Sequence, residues 1–405
     1  MTPKQLLEEA DALRESLIAS RRYLHTHAET GFDLTDTLAY VKKELADMGY
    51  EPALCGKSGL VALAGGKKKG PVFLIRGDMD ALPIREQAEI DFPSTNGCMH
   101  ACGHDLHTAM MLGAARLLKQ HEDEIQGTVK LMFQPAEEIF EGARDMIRAG
   151  LLKNPDVDAA LMIHVIAGMP YTPGTIIVSA PGISAPAADY FTITVHGKGC
   201  HGSMPGTGID PLNAAAHILI ALQGIHAREL AVEDRAVLTI GTMNAGTAPN
   251  VIPDTVTMEG SLRTFDEQTR AFIKERMVQI SEGTAASFRA TATVSFGSGC
   301  PALENDRQLC LCAESYLREL LGKEKALSAT QYPMKASGSE DFAYVSQKVP
   351  SVMLAMAAGQ QEKGYCYPQH HPMVTFDEEI LTGGSAAYAY VAMQWLAGHS
   401  RVTGE

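Results

Sequence analysis

Long apolar runs are missing from this 405-residue chain. No stretch approaches the roughly 18 consecutive apolar residues of a membrane-spanning helix, which argues against a bilayer span. Basic charge is scarce. The 34 Lys and Arg against 48 Asp and Glu leave a net charge of −14, an unfavourable balance for nucleic acid or an anionic membrane as partner. The 8 cysteines, Cys55, Cys200, Cys300 and Cys366 among them, are scattered without the rhythm of a disulfide scaffold. The first ten residues are charged and lack the apolar core of a signal peptide. A reducing cytoplasm is the expected compartment. There are no internal repeats or low-complexity tracts, and Lys67-Lys68-Lys69 reads as a solvated turn. The length exceeds one ordinary core, so two domains are expected, one of them inserted in the other.

What is present is chemically dense. Met99 to His107 packs one thiol, three imidazoles and one carboxylate into nine residues: Cys102, His100, His104, His107 and Asp105. Thiolates and imidazoles are preferred ligands of zinc and its first-row neighbours. RGDMDALP (76–83) precedes this run and FQPAEE (133–138) follows it. A Cys-x-His pair is too short to close a tetrahedral structural site, which needs a second pair at similar spacing. The other plausible ligands are dispersed carboxylates and single histidines. That pattern favours an open, catalytic metal site.

The first 180 or so residues alternate helix and strand patterns. Helices are expected over 4–24, 36–48 and 105–120. Apolar strands at 72–76, 128–133 and 159–163 lead to Asp78 and Asp80, to Glu137, and to His164. In an open α/β sheet the carboxyl ends of the strands form the ligand-binding edge. Residues near 187–296 read as strand 190–196, helix 210–230, strands 236–242 and 255–263, helix 267–288 and strand 291–296. That is the ferredoxin-like β-α-β-β-α-β order. Gly182 and Gly297-Ser298-Gly299 mark plausible hinges. Helices at 306–321 and 377–397 complete the chain. The expected fold is therefore α/β: a discontinuous catalytic domain (1–185 and 298–405) with a mixed sheet flanked by helices, and an inserted domain (186–297).

At this point the chain resembles the dinuclear metal-dependent amidohydrolases that include hippurate hydrolases, N-acyl-amino-acid deacylases and auxin-conjugate hydrolases. The resemblance runs from Arg22-Tyr23-Leu24-His25-Thr26-His27-Ala28-Glu29 through RGDMDALP, HACGHDLHTA and FQPAEE to His164. It continues with GKGCHGSMP (197–205), GTAPNVIP (246–253), GSEDF (338–342) and His370-His371-Pro372. It implies a metallo-exopeptidase-like catalytic domain and an inserted lid and dimerisation domain. It also implies two divalent metal ions per subunit, with Cys102 bridging them. His104 and Glu138 would complete one shell, His164 and His370 the other. His371 competes for the last role, but the family's ligand stands two residues before the proline, which selects His370. Zinc, manganese, cobalt and nickel all suit such ligands.

The adjacent Glu137 and Glu138 cannot share one role, and the resemblance makes Glu137 the general base and Glu138 the ligand. Asp78 and Asp80 would orient ligand imidazoles. Asp80 is the favoured catalytic partner, although the sequence leaves open which contact each makes. His100, His107, His25 and His27 read as packing or supporting histidines. His201 would reach the active site of a dimer partner and donate to the oxyanion. Asn250 and Arg263 would hold the substrate carboxylate, with Gly338 also at the substrate site. Two positions depart from the family pattern: Ala28 stands for a usual proline and Cys200 for a usual small residue.

The implied activity is hydrolysis of N-acyl amino acids, small-molecule substrates, by a cytoplasmic homodimer or dimer-based tetramer. A dipeptidase or aminopeptidase-like activity is the enzymatic alternative. A metal-binding protein that lost turnover is the non-enzymatic one, and the presence of Glu137 weighs against it.

Overall fold

The computed structural model describes residues 1–331 and 338–399. It divides into two compact units: Met1–Ser184 with most of the chain after Glu304, and Ala185–Leu303 joined by residues 338–340.

The first unit is built on an eight-stranded mixed sheet. Its middle is parallel: Thr128–Gln134, Val72–Asp78, Ala159–Ile166 and Ser351–Ala357 lie side by side in that order. These strands are apolar along nearly their whole length, as strands covered on both faces must be. Antiparallel neighbours flank them, Gly59–Gly65 on one side and Ile176–Val178 on the other. The helices His104–Gln120 and Ile380–His399 pack on each other and on the Val72–Asp78 strand. Both are buried almost all round, which explains why apolar residues occupy more than one helical face.

Most element expectations hold to within a few residues. The stretch 4–24 is an exception: it forms two helices, Pro3–Asp11 and Arg14–Thr26. At the break the Leu13 N–H turns to the Ala10 carbonyl at 3.0 Å, an i→i−3 bond in place of the helical one. His164 is a second exception. It lies inside the Ala159–Ile166 strand and not at its end.

The second unit has an antiparallel four-stranded sheet, in the order Ala236–Ala245, Thr255–Thr264, Ala187–His196 and Thr291–Cys300. Helices Pro211–Gly224 and Glu267–Ser287 supply the rest of its core. Alternate residues Phe191, Ile193 and Val195 turn inward to meet Ile218, Leu222, Ile273 and Met277. Both helices start at an aspartate cap. Asp210 accepts from the Leu212 and Asn213 N–H groups, Asp266 from those of Gln268 and Thr269. The helix expected over 210–230 ends as α-helix at Gly224 and continues as a single π turn, Ile225–Glu229. Among the described residues no helix is long and apolar enough to cross a membrane.

Candidate metal centre

The parallel strands bring their carboxyl ends together, and the polar residues that follow each strand converge there. Cys102 precedes the His104–Gln120 helix, with Gly103 between them at φ +86°. A Cβ at Gly103 would lie 2.5 Å from Val165 Cγ2, so only glycine fits a left-handed position packed this tightly. The turn sets Cys102 and His104 on the same site. His370 also has a positive φ, +66°, and its N–H donates to the Ala101 carbonyl at 2.9 Å. That bond ties the distant 370 segment to the loop carrying Cys102.

The five residues expected as ligands come together. Cys102 is common to two groups of mutually close donor atoms, one with His104 and His164, the other with Glu138 and His370. The resemblance implies another pairing, His104 with Glu138 and His164 with His370; His104 Nε2 also lies 3.9 Å from Glu138 Oε1, in a further close group with Glu137. Sequence order does not report which donors the fold makes neighbours. Cys102 Sγ is 3.6 Å from His164 Nε2, and His370 Nε2 is 3.5 Å from Glu138 Oε1. His104 Nε2 and Glu138 Oε1 are buried with no hydrogen-bond partner. Orphaned polar atoms at this depth are costly unless a bound group satisfies them. One thiolate, one carboxylate and three imidazoles, two of their atoms unsatisfied, fit a pair of divalent cations.

The electrostatics point the same way. Burial and Glu138 push the Cys102 thiol up, but His164 and His104 outweigh them and bring it to about 6. Burial disfavours the charged form of His104, yet Asp78 and Cys102 hold it well above the ordinary imidazole value. His370 is raised to about 10 by Cys102 and Glu138. The field that draws protons onto these imidazoles is the field that would draw cations.

Asp78 and Asp80 have different tasks. Asp78 is fully buried; burial opposes its charge, but Arg76, His104 and His107 keep its carboxyl well below the usual range. Arg76 Nη1 donates to it at 2.6 Å, and it lies 3.5 Å from His104 Nε2. Asp80 instead accepts the backbone N–H groups of Glu137 (3.0 Å) and Glu138 (3.2 Å). Its backbone carbonyl accepts from His104 Nδ1 at 2.8 Å, which leaves Nε2 of that ring turned to the site. Ala136, just before the two glutamates, has φ +54°. The strand therefore ends in a sharp turn whose N–H groups Asp80 collects.

Beneath Glu137 lies a buried polar group that motif reading passes over. Arg76 Nε donates to Gln134 Oε1 at 2.9 Å, and Gln134 Nε2 donates to Asp341 Oδ1 at 2.6 Å. The Asp341 N–H reaches Glu137 Oε1 at 3.4 Å. Gln134 and Asp341 stand within the FQPAEE and GSEDF stretches, which was the available signal.

In the second unit, Cys200–His201 pairs with Val251–Ile252, which sets His201 opposite Val251 and one residue from Asn250. The Gly202 N–H donates to the Asn250 carbonyl at 2.7 Å. A Cβ at Gly202 would lie 2.9 Å from that carbonyl oxygen, hence glycine after His201. His201 is exposed and its Nδ1 meets Ser203 Oγ at 2.8 Å. Arg263 Nη1 donates to Ser339 Oγ at 2.7 Å, and the guanidinium lies 5.6 Å from the Tyr190 ring centre. Gly338 is exposed with open space around its Cα.

Comparison with known proteins places this chain. Residues 74–394 match the model of peptidase family M20/M25/M40. The chain belongs to that family. This M20/M25/M40 member is 38% identical to the N-acetylcysteine deacetylase of Bacillus subtilis, over 94% of this chain and 97% of that protein. It is 35% identical to the IAA-amino acid hydrolase ILR1-like 2 of Arabidopsis thaliana, over 94% of this chain and 85% of that one. Among solved structures it resembles a dinuclear metal-binding peptidase of B. subtilis, with a TM-score of 0.77 and 36% identity. That match covers 96% of this chain and 99% of the other.

Proposed function

We propose that this family member hydrolyses the amide bond of N-acyl amino acids, releasing a carboxylic acid and a free amino acid. The observation that carries the reading is the convergence of Cys102, His104, Glu138, His164 and His370 around atoms left unsatisfied, with Glu137 directly beside them. The deacetylase and auxin-conjugate hydrolase among its relatives support the substrate class.

Bound divalent cations supply Lewis acidity and make water a competent nucleophile near neutral pH. The chain's own residues do the rest. Glu137 takes the proton of the attacking water and returns it to the leaving amine. Asp80 positions the Glu137-Glu138 turn through two backbone N–H groups. Arg263 holds the free carboxylate of the amino-acid half, for which a planar guanidinium is suited, with Gly338 at the same site. Asn250, the neighbour of His201, joins it from the subunit that supplies His201. His201 donates to the developing oxyanion from the opposite subunit of a homodimer.

The second unit's element and strand order support a ferredoxin-like inserted domain, and that domain would form the lid and the dimer contact. The reading extends to zinc or manganese as metal and to a cytoplasmic setting. A dipeptidase would share the carboxylate site but would have to accept a charged amino terminus. A panel of benzoyl-, acetyl- and aminoacyl-amino acids, assayed by release of free amine after metal reconstitution, tests the function. Turnover of dipeptides alone replaces it with the peptidase reading, and no turnover of any member rejects it.

A further inference from the structure

The backbone of one residue, Val165, sits at the centre of the first unit's hydrogen bonding around the candidate ligands. Its N–H donates to His107 Nε2 at 2.9 Å. Its carbonyl accepts twice, from His164 Nδ1 at 2.7 Å and from Gln369 Nε2 at 2.8 Å. A carbonyl has two lone pairs, so both bonds are accommodated. His164 and Gln369 are 205 positions apart in the chain by number, yet they meet on one oxygen.

The proton positions follow from the partners. His107 accepts at Nε2, so its proton is on Nδ1, where it is donated to Asp78 Oδ1 at 2.5 Å. His107 therefore has no nitrogen free for a cation, although it stands close to Asp78 and His104 in a ligand-like group. His164 donates from Nδ1, which leaves the Nε2 lone pair directed at Cys102. Gln369 immediately precedes His370. Anchoring its side chain to Val165 restrains the left-handed residue that turns His370 toward Glu138.

We propose that His107 is a positioning residue of the metal centre. It acts through the Val165 backbone, whose N–H it anchors and whose carbonyl holds His164 in the tautomer that presents Nε2 and, through Gln369, fixes the approach of His370. Asp78 sets the direction of the whole chain. Gripped by Arg76, it remains an acceptor, so His107 must donate to it and must accept from Val165. From Arg76 through Asp78 and His107 to the Val165 N–H each bond polarises the next, and the Val165 carbonyl, in the following peptide, is fixed by the position of that backbone. This inference rests on the reading of the site as a metal centre.

The test measures metal affinity, not turnover. Cobalt(II) is titrated against a competing chelator, and the thiolate-to-cobalt charge-transfer absorption is recorded for the wild type, His107→Phe, His107→Gln, Gln369→Leu and Cys102→Ala. Loss of an outer partner of a metal-ligating imidazole weakens binding by about 10–100-fold. That loss is expected for His107→Phe and Gln369→Leu, with an altered absorption band. His107→Gln, whose carboxamide can both donate and accept, should recover part of it. Gln369 is half-buried, so Gln369→Leu decides the matter should His107→Phe fail to fold. Wild-type affinity and spectrum in every folded variant at positions 107 and 369 overturn the inference. Unchanged cobalt binding in Cys102→Ala overturns the metal-centre reading itself, a separate result.

Discussion

Asp80 holds Glu137 by its backbone: the aspartate carboxylate accepts the glutamate N–H at 3.0 Å and takes the neighbouring Glu138 N–H at 3.2 Å. The candidate base and a candidate ligand are thus positioned by one buried side chain. Asp80→Asn presents one acceptor and one donor where two N–H groups converge, so one of them loses its partner. Glu137 should shift, and a misplacement of about 1 Å can cost roughly 100-fold in rate. Steady-state kinetics should show kcat falling with KM little changed, at preserved fold by circular dichroism. An Asp80→Asn enzyme with normal kcat would remove Asp80 from the positioning of Glu137.

Glu137→Gln keeps the size and polarity of the side chain but cannot take a proton. Its kcat should fall by roughly 100-fold or more, the usual worth of a positioned base, while elemental analysis finds the wild-type metal content. Near-wild-type turnover at full metal content would exclude Glu137 as base.

Chelation should abolish activity, and added divalent metal should restore it. Because the ligands are assembled only in the folded chain, the metal should also stabilise it. Linkage predicts about 4 kcal/mol at free metal 1,000-fold above the dissociation constant. Calorimetry of apo and metal-loaded protein reads this as a rise in Tm. Activity persisting after verified metal removal contradicts the metallohydrolase reading.

A buried cluster adjoining the ligand-bearing loop gives a pH prediction. His25 Nδ1 meets Asp105 Oδ2 at 2.8 Å, its Nε2 meets Glu86 at 3.1 Å, and Arg21 donates to Asp105 at 2.8 Å. Burial lowers the His25 pKa, but its hydrogen bonds to Asp105 and Glu86 prevail and raise it. A raised folded-state pKa stabilises fully below the unfolded value, about 6.5, and the contribution disappears as pH climbs through the folded value. Asp105 has the opposite sign. Burial opposes its charge, Arg21 and His25 more than compensate, and its carboxyl lies far below the usual range. Its contribution is present above about 4 and is lost as pH falls toward the folded value. Replacing His25 by Gln should cost about 1.5–3 kcal/mol near pH 5.5, the range for hydrogen bonds to charged groups, and less at pH 9. A cost independent of pH in urea titrations would show that His25 is held neutral.

His201 offers the test of subunit sharing. His201→Ala should lower kcat by about 100-fold or more, as loss of an oxyanion donor does. In a twofold dimer both borrowed contacts are equivalent. Mixing His201→Ala chains with Glu137→Gln chains should then restore one intact site per heterodimer, at no more than half the wild-type activity. If exchange is verified and activity stays absent, His201 does not act across subunits.

Much of this protein was legible in one dimension. Apolar strands ending in Asp78, Asp80 and Glu137 marked the edge where chemistry would gather, because a parallel sheet covered on both faces needs continuous apolar runs and leaves its polar residues to the strand ends. Local spacing also identified the donor types, Cys102 with His104 and Glu137 with Glu138, since neighbours in sequence remain neighbours in space. The tertiary structure alone decided which distant donors meet. Cys102 shares one group with His164 and another with His370 because the Ala159–Ile166 strand and the 370 segment are brought to its loop by sheet order and by the Ala101–His370 bond. It also decided that Asp80 is spent on backbone N–H groups, that both nitrogens of His107 are occupied, and that Gln134 and Asp341 lie under Glu137. Those facts depend on hydrogen bonds between residues far apart in the chain. No periodicity or motif spacing encodes such bonds, because they arise only when packing has closed the distance and every buried polar atom must find its partner.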